Sequence, residues 1–291
     1  MVRILFYGLS RLPLRVLYLF SDLAYFIVYY LVGYRKQVVM QNLDIAFPEK
    51  TKAEKIRIAK NFYHGFVDTF LETIKLISMP EAEVRRRITG DFSILHQLYE
   101  EGYSVQLHTG HFFNWEFLNH SIALYGPHTF LGVFTPISNK AFSDIMFNMR
   151  KRFGTVLIPA TKFKHLFAQH AKAGRYALGL VADQSPGNPL NAYWYPLFGK
   201  MTAFVKGPEK GSRNMNTAVV MLHFYRVKRG YYRVDAELLT KHPNELPEGA
   251  ITKAFVHFLE ESIKKRPESY LWSHKRWKHA YNDSYKDLVI S

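Results

Sequence analysis

Cysteine is absent from the 291 residues. Disulfides, thiolate metal sites and a thiol nucleophile are therefore excluded, and no covalent intermediate can rest on sulfur. A reducing compartment is compatible with that absence but not required by it. A G-x-S-x-G elbow, a G-x-x-x-x-G-K-[ST] loop and a G-x-G-x-x-G fingerprint are also missing, which weakens hydrolase, NTPase and dinucleotide-binding readings. No internal repeat or low-complexity linker divides the chain. Acidic residues are scarce, with 24 Asp+Glu against 39 Lys+Arg and a net charge of +15. Such a balance favours an anionic partner: nucleic acid, phospholipid headgroups, a phosphorylated glycolipid or an acidic carrier protein.

What is abundant is apolar. At 48% hydrophobic and 16% aromatic residues, the chain can bury a large core. From Val16 to Tyr34, "VLYLFSDLAYFIVYYLVGY", Asp22 is the only formal charge, and the run just reaches the roughly 30 Å of bilayer hydrocarbon. Asp22 would cost about 2.5 to 3.5 kcal/mol at a bilayer centre, so a shallow, partly protein-covered helix is as good a reading as a full span. Arg11 and Arg15 before the run and Arg35 and Lys36 after it make both flanks basic and give no orientation. Tyr25, Tyr29, Tyr30 and Tyr34 suit a membrane interface, while a core helix stays open as the alternative. No signal-peptide cleavage site follows, and the segment is expected to be retained. Residues 1–36 are set apart as a membrane anchor or interfacial helix, and residues 37–291 as the main domain.

Within that domain, Phe62, Phe66, Phe70 and Ile74 recur at spacing four, the stripe of an amphipathic helix packed on a core or a membrane. Beyond Tyr103, "SVQLH", "TFLGVFT", "TVLIPA", "YALGLVAD" and "TAVVMLHFYRV" predict strands. Helices are predicted near 115–124, 139–153, 162–173, 207–214 and 249–265. This alternation predicts an α/β fold with a mostly parallel sheet flanked by helices and a helical, membrane-seeking N-terminal portion.

The densest chemistry is "HTGHFFNWE", residues 108–116, where a strand should end and a helix begin, at the carboxyl edge of the sheet. His111 and Glu116 are separated by about 500° of helical rotation at roughly 100° per residue, so they meet only if His111 lies outside the helix. Asn114 as N-cap would start the helix there and put Glu116 in its first turn. A carboxylate holding one ring nitrogen would leave the other free to take a proton from a hydroxyl. On spacing alone, a histidine and glutamate near a helix start are more often a structural capping pair. A metal site from His108, His111 and His120 is a weaker alternative without HExxH-type spacing.

"HFFNWE" resembles the H-x4-D/E motif of the lysophospholipid acyltransferase superfamily, and with its glutamate most resembles the lipid A biosynthesis (late, secondary) acyltransferase branch. "QNLDIAFPEKT", "FTPISNKAFSDIMFNMRKRFG", "VADQSPG", "YPLFGKMTAFVKGPEKGS" and "PESYLWSHKRWK" follow the family's order over about residues 35 to 280. The resemblance implies a glycerolipid acyltransferase-like fold and transfer of a fatty acyl chain from acyl carrier protein, or acyl-CoA, to a hydroxyl of a lipid A precursor. It implies His111 as base, Glu116 as its orienter, and Arg150 and Asp183 around the reacting centre. No cofactor beyond the acyl thioester is implied. The expected partners are acyl carrier protein, a membrane lipid acceptor and the membrane surface, without nucleic acid. The expected location is the bacterial inner membrane, peripheral or single-pass, with the catalytic domain facing the cytoplasm.

Other residues take two readings each. Arg150 can serve the oxyanion or cap a helix end in solvent. Asp183 and Gln184 sit at a strand end, where polar residues tend to bind substrate, yet Asp before "SPG" also forms turns. "VKGPEKG" enters a helix at Pro208, whose amides with Lys206 or Lys210 could hold a phosphate. Asn114 and Lys206 are counted with Arg150, Asp183 and Gln184 as substrate-binding candidates. Trp272 and Trp277 fit lipid headgroups or a core pair. A same-superfamily enzyme acting on another glycolipid, aminolipid or lysophospholipid, and a non-catalytic basic membrane-binding protein, are the alternative functions.

Overall fold

A computed structural model describes residues 2–290. Its strands, in chain order, are β1 (Ile88–Asp91), β2 (Val105–Thr109), β3 (Thr129–Phe134), β4 (Val156–Pro159), β5 (Tyr176–Val181), β6 (Ala192–Leu197), β7 (Lys200–Val205), β8 (Ala218–Lys228) and β9 (Tyr231–Thr240). The helices are α1 (Val2–Arg11), α2 (Leu14–Phe26), α3 (Lys36–Ala46), α4 (Lys52–Leu76), α5 (Glu81–Arg87), α6 (Ser93–Glu100), α7 (Trp115–Tyr125), α8 (Lys140–Lys151), α9 (Phe163–Ala173), α10 (Gly207–Met215) and α11 (Ala250–Lys265). Seven strands form one sheet in the order β1-β9-β8-β2-β5-β3-β4, while β6 and β7 pair separately. Within the large sheet only β8–β9 is antiparallel.

The expected α/β class is therefore what forms, and the five expected strands and five expected helices appear with ends within two residues. Central strand β2 is buried at every position, as a parallel strand covered on both faces must be. Strands β1, β6, β7 and β9 were not anticipated. β9 alternates polar and apolar residues (Arg233, Asp235, Glu237) as half of a hairpin, and β6 carries Pro196, which demotes a strand reading. β1 is short and mostly exposed; a Cβ at Gly90 would sit 1.8 Å from the Val234 carbonyl oxygen, so only glycine allows this approach to β9.

The apolar N-terminal run is bounded by proline and glycine. Pro13 precedes α2 with φ −57°, and a π-helical turn, Ile27–Val32, ends at Gly33 with φ +63°. Leu14–Val32 is long and apolar enough to cross a membrane by length and composition. One face of it packs on the domain: Leu14, Leu17, Ser21 and Tyr29 are buried. Asp22 belongs to that face, since its carboxylate lies 2.6 Å from Arg229 and 3.0 Å from His64. The other face exposes Leu19, Phe20, Leu23, Phe26, Ile27, Tyr30, Leu31 and Val32.

α4 starts at a capping box between Thr51 and Glu54, which satisfies two orphan amides. Its predicted apolar stripe is divided between two uses. Phe62 is fully buried in the core, whereas Phe70 is 48% exposed and, with Ile74, lines an open chamber. The same helix buries Asp68, Glu72 and Lys75, charges that need partners to be tolerated there.

Candidate active site

The register of the central strands sets the site. Thr109 ends β2 opposite Val181, which ends β5, so the chain leaves both strands side by side at the carboxyl edge of the sheet. His111 and Asp183 each lie two residues past those ends, and His111 Nδ1 is 2.6 Å from Asp183 Oδ1. Asp183 is buried and the imidazole partly so. With Nδ1 facing a carboxylate, Nδ1 carries the proton and Nε2 is left as the acceptor; the Gln184 amide nitrogen lies 3.3 Å from it.

Burial alone would push the His111 imidazole down, but the charge and hydrogen bond of Asp183 outweigh it and raise its pKa above the ordinary value. Burial would likewise raise Asp183, yet the His111 partner and the Arg276 charge hold it below the usual carboxylate range. The other histidines considered as ligands behave oppositely. Burial pushes His108 down to about 4, and burial with the Arg152 and Arg150 charges pushes His120 down to about 3. Both are neutral core groups, bonded to Gln106 and lying against Met149 respectively. Among the described residues no group of three or more His, Asp or Glu side chains could hold a metal ion.

Glu116 does not hold His111. Its carboxylate accepts from Arg150 Nε at 2.8 Å and from the same guanidinium's terminal nitrogen at 2.5 Å, and from Trp115 Nε1 at 3.0 Å. The expected role of imidazole orienter falls on Asp183 instead. The reason is local: Asn114 caps α7 with its Oδ1 accepting from the Glu116 amide, which aims Glu116 at α8, and the Trp115 ring lies against His111 at 6.0 Å. Arg150 is thus a paired side chain, not a solvated helix-end cation.

Asn114 is the predicted N-cap, but it does not fit the predicted substrate contact. It is fully buried, and its Nδ2 donates to Glu72 at 3.2 Å, so both ends of the amide are occupied by protein. Lys206 stands at the start of α10 with its ammonium 4.7 Å from the Tyr193 ring centre; no hydrogen bond or ion pair among the described residues links it to His111. Trp272 is wholly buried, and Trp277 Nε1 donates to Thr202, so the tryptophan pair is packing and not a headgroup site.

Sequence reasoning missed the strap behind Asp183. Residues 269–276 run along the loop of His111: Leu271 N–H donates to the His111 carbonyl at 3.1 Å and Phe113 N–H to the Ser269 carbonyl at 3.1 Å. Buried Arg276 donates to Ser185 and to the Ala203 carbonyl. His274, pushed down to about 4 by burial, accepts from the Ser185 amide at 3.1 Å. These contacts join positions 73 or more apart in sequence, beyond any local spacing.

A chamber of about 310 Å³, lined by Phe6, Phe70, Ile74, Phe142, Ile145 and Met146, has Trp115, Glu116 and Arg150 on its wall, and through the Trp115 ring it adjoins His111. Apolar walls with a few convergent polar groups are the usual make-up of a ligand cavity, and the size is at the small end of the usual range. A search of the curated proteins finds no match to the chain. The family model for bacterial lipid A biosynthesis acyltransferases, in contrast, matches residues 1–279, nearly the whole sequence and every element of the site. The chain belongs to the bacterial lipid A biosynthesis acyltransferase family.

Proposed function

We propose that the protein transfers a fatty acyl chain from an acyl thioester, carried by acyl carrier protein or coenzyme A, to a hydroxyl of a lipid A precursor, a phosphorylated glucosamine disaccharide bearing 3-hydroxyacyl chains. The observation that carries this is the contact of a carboxylate-held imidazole, His111, with Trp115 on the wall of the apolar chamber. His111 Nε2 takes the hydroxyl proton as that oxygen attacks the thioester carbonyl, an assistance worth about 10²- to 10⁴-fold. The tetrahedral intermediate then expels the thiolate, which recovers the proton from the imidazolium. Transfer is direct, in keeping with a chain without cysteine. Asp183 fixes the tautomer and stabilises the imidazolium. Arg150, anchored by Glu116, offers its remaining N–H groups to the oxyanion, and Gln184 supports the Nε2 side. The chamber takes the acyl chain; no further cofactor has a part.

The exposed face of α2, with Arg11, Arg15, Arg35 and Lys36 flanking the apolar run, rests on the anionic inner-membrane surface from the cytoplasmic side, where the carrier protein is available. The docking of the opposite face on α4 supports a helix lying in the interface over one that spans the bilayer. The test is incubation of the purified chain with radiolabelled acyl carrier protein thioester and the 3-hydroxyacylated disaccharide lipid, alongside lysophospholipid and aminolipid acceptors. Acylation of the disaccharide alone, lost in His111→Ala, is expected. Acylation of another acceptor in its place rejects the lipid A assignment, and full activity of His111→Ala rejects the mechanism.

A further inference from the structure

Glu72, fully buried on α4, receives three donors from three distant segments. Tyr18 of α2 donates to its Oε1 at 2.8 Å. Asn114 donates to its Oε2 at 3.2 Å, and the Tyr232 hydroxyl of β9 donates to the same oxygen. One turn earlier on α4, Asp68 accepts from Ser21 of α2 at 2.7 Å and pairs with Arg229 at 2.6 Å; Arg229 reaches on to Asp22. The polar face of α2, formed by Tyr18, Ser21 and Asp22 at helical spacing, is thus docked on two buried carboxylates, while its opposite face carries the exposed apolar residues.

A buried carboxylate is an expensive way to pack a helix, because its desolvation must be offset by complete hydrogen bonding. An apolar residue would fill the position more cheaply. What Glu72 supplies that an apolar residue cannot is a directed link between α2 and Asn114. Asn114 passes that link to the loop: its other end holds the Glu116 amide, and His111 lies three residues before it. A shift of Asn114 moves the first turn of α7, and with it Trp115 and the Glu116–Arg150 pair.

We propose that Glu72 is a positioning residue which couples the seating of α2 on an anionic phospholipid surface to the geometry of the His111 loop, so that the bilayer raises turnover as well as holding the enzyme. The proposal rests on the acyltransfer reading for its rate and on the structure alone for its conformational part. When the exposed face of α2 is fixed by lipid, Tyr18 and Ser21 are fixed against α4, Glu72 is held in one orientation, and Asn114 has one position to cap from. Free of lipid, α2 keeps only the contacts of its docked face, and the relay loosens at the Tyr18 end.

The test uses the full chain and two variants, Tyr18→Phe and Glu72→Gln, with vesicles of phosphatidylethanolamine and phosphatidylglycerol. Backbone hydrogen exchange of residues 110–118 is measured with and without vesicles, beside kcat and KM for acyl transfer and binding by vesicle co-sedimentation. In the parent chain, vesicles should slow exchange of this loop and raise kcat roughly tenfold, less than the about 10²-fold that a 1 Å misplacement can cost because the loop is only loosened. Tyr18→Phe should bind vesicles equally and lose both responses. Glu72→Gln should lower kcat by about tenfold with KM within about twofold, the pattern of lost alignment and not of lost binding. Loop exchange in the parent chain that ignores vesicles, or that responds undiminished in Tyr18→Phe, overturns the proposal, as does loss of vesicle binding in that variant. If Glu72→Gln does not fold, Tyr18→Phe decides alone. Should no acyl transfer occur with any acceptor, the exchange measurement still reads the coupling, which separates failure of this proposal from failure of the function.

Discussion

His111 and Asp183, 72 positions apart, are joined through Nδ1 and Oδ1 at 2.6 Å because their strands end in register. The pair is a product of sheet topology, with β2 and β5 parallel neighbours although β3 and β4 intervene in sequence. The glutamate five residues from His111, closest in sequence, is turned away to Arg150. Two carboxylates thus take separate partners in the candidate site: Asp183 pairs with the imidazole and Glu116 with the guanidinium.

Those tasks are separable by substitution. Asp183→Asn removes the anionic partner of the imidazole and should cut kcat by about 10²-fold or more, while the pH midpoint of kcat/KM moves down because the group that raises His111 is gone. Glu116→Gln should also lose activity, through Arg150, but with the midpoint unmoved. Steady-state kinetics of both variants across pH make the comparison. An equal shift of the midpoint in Glu116→Gln would mean that Glu116 serves the imidazole after all.

The pH profile itself has a fixed sign. In the proposed role of base, His111 works only when Nε2 is unprotonated, and its pKa is raised by Asp183, so kcat/KM should climb with pH through a midpoint above the ordinary histidine value of about 6.5. The linked stability runs the other way. The pair's contribution is fully present below His111's unfolded pKa and is lost as pH rises through the higher folded one. On the acid side it is lost as pH falls through the lowered pKa of Asp183. Melting temperatures of the parent chain minus those of Asp183→Asn should therefore peak between roughly pH 4 and 6.5; a difference that grows steadily to pH 9 contradicts the ion pair.

How much of this was legible beforehand follows from range. The strand at 105–109, the Asn114 cap and the helix bearing Glu116 are set by neighbours within a few positions, through apolar runs and cap chemistry, and their boundaries could be read directly. The partner of His111 could not, because the choice between Asp183 and Glu116 depends on which strands adjoin in the sheet. Glu72 and Arg276 were invisible for a related reason. A charged residue on an otherwise amphipathic helix or in a basic tail reads as solvated, and only tertiary packing buries these two. Asp22 shows the converse: a charge that looked costly in an apolar run is satisfied by Arg229 from the β8–β9 turn.

The Glu116–Arg150 pair should be costly to break and cheap to replace. Glu116 is 3% exposed and Arg150 22%, so Arg150→Ala leaves a buried carboxylate whose remaining donors are the Trp115 indole and nothing of opposite charge. About 3 kcal/mol of destabilisation is expected, at the lower end for buried pairs because Arg150 retains some solvent. The double variant Glu116→Leu/Arg150→Met should recover most of that stability while staying inactive. Urea denaturation of the single and double variants gives the comparison. Additive losses would show that the two side chains do not interact.

The chamber makes the last prediction, on the acyl group. Its wall includes Phe6 of α1 and Phe142 of α8, edge to face at 5.9 Å, beside Ile145 and Met146. The volume of about 310 Å³ leaves little room for a larger side chain. Ile145→Trp should shorten the cavity, and each methylene kept from burial forfeits about 0.8 kcal/mol, roughly fourfold in kcat/KM. Long-chain thioesters should then lose to short ones in a competition mixture, with the acylated products resolved by mass spectrometry. The effect must grow with chain length, because a clash at the reacting carbonyl would slow all donors alike. A uniform loss across chain lengths would place the acyl chain outside this chamber.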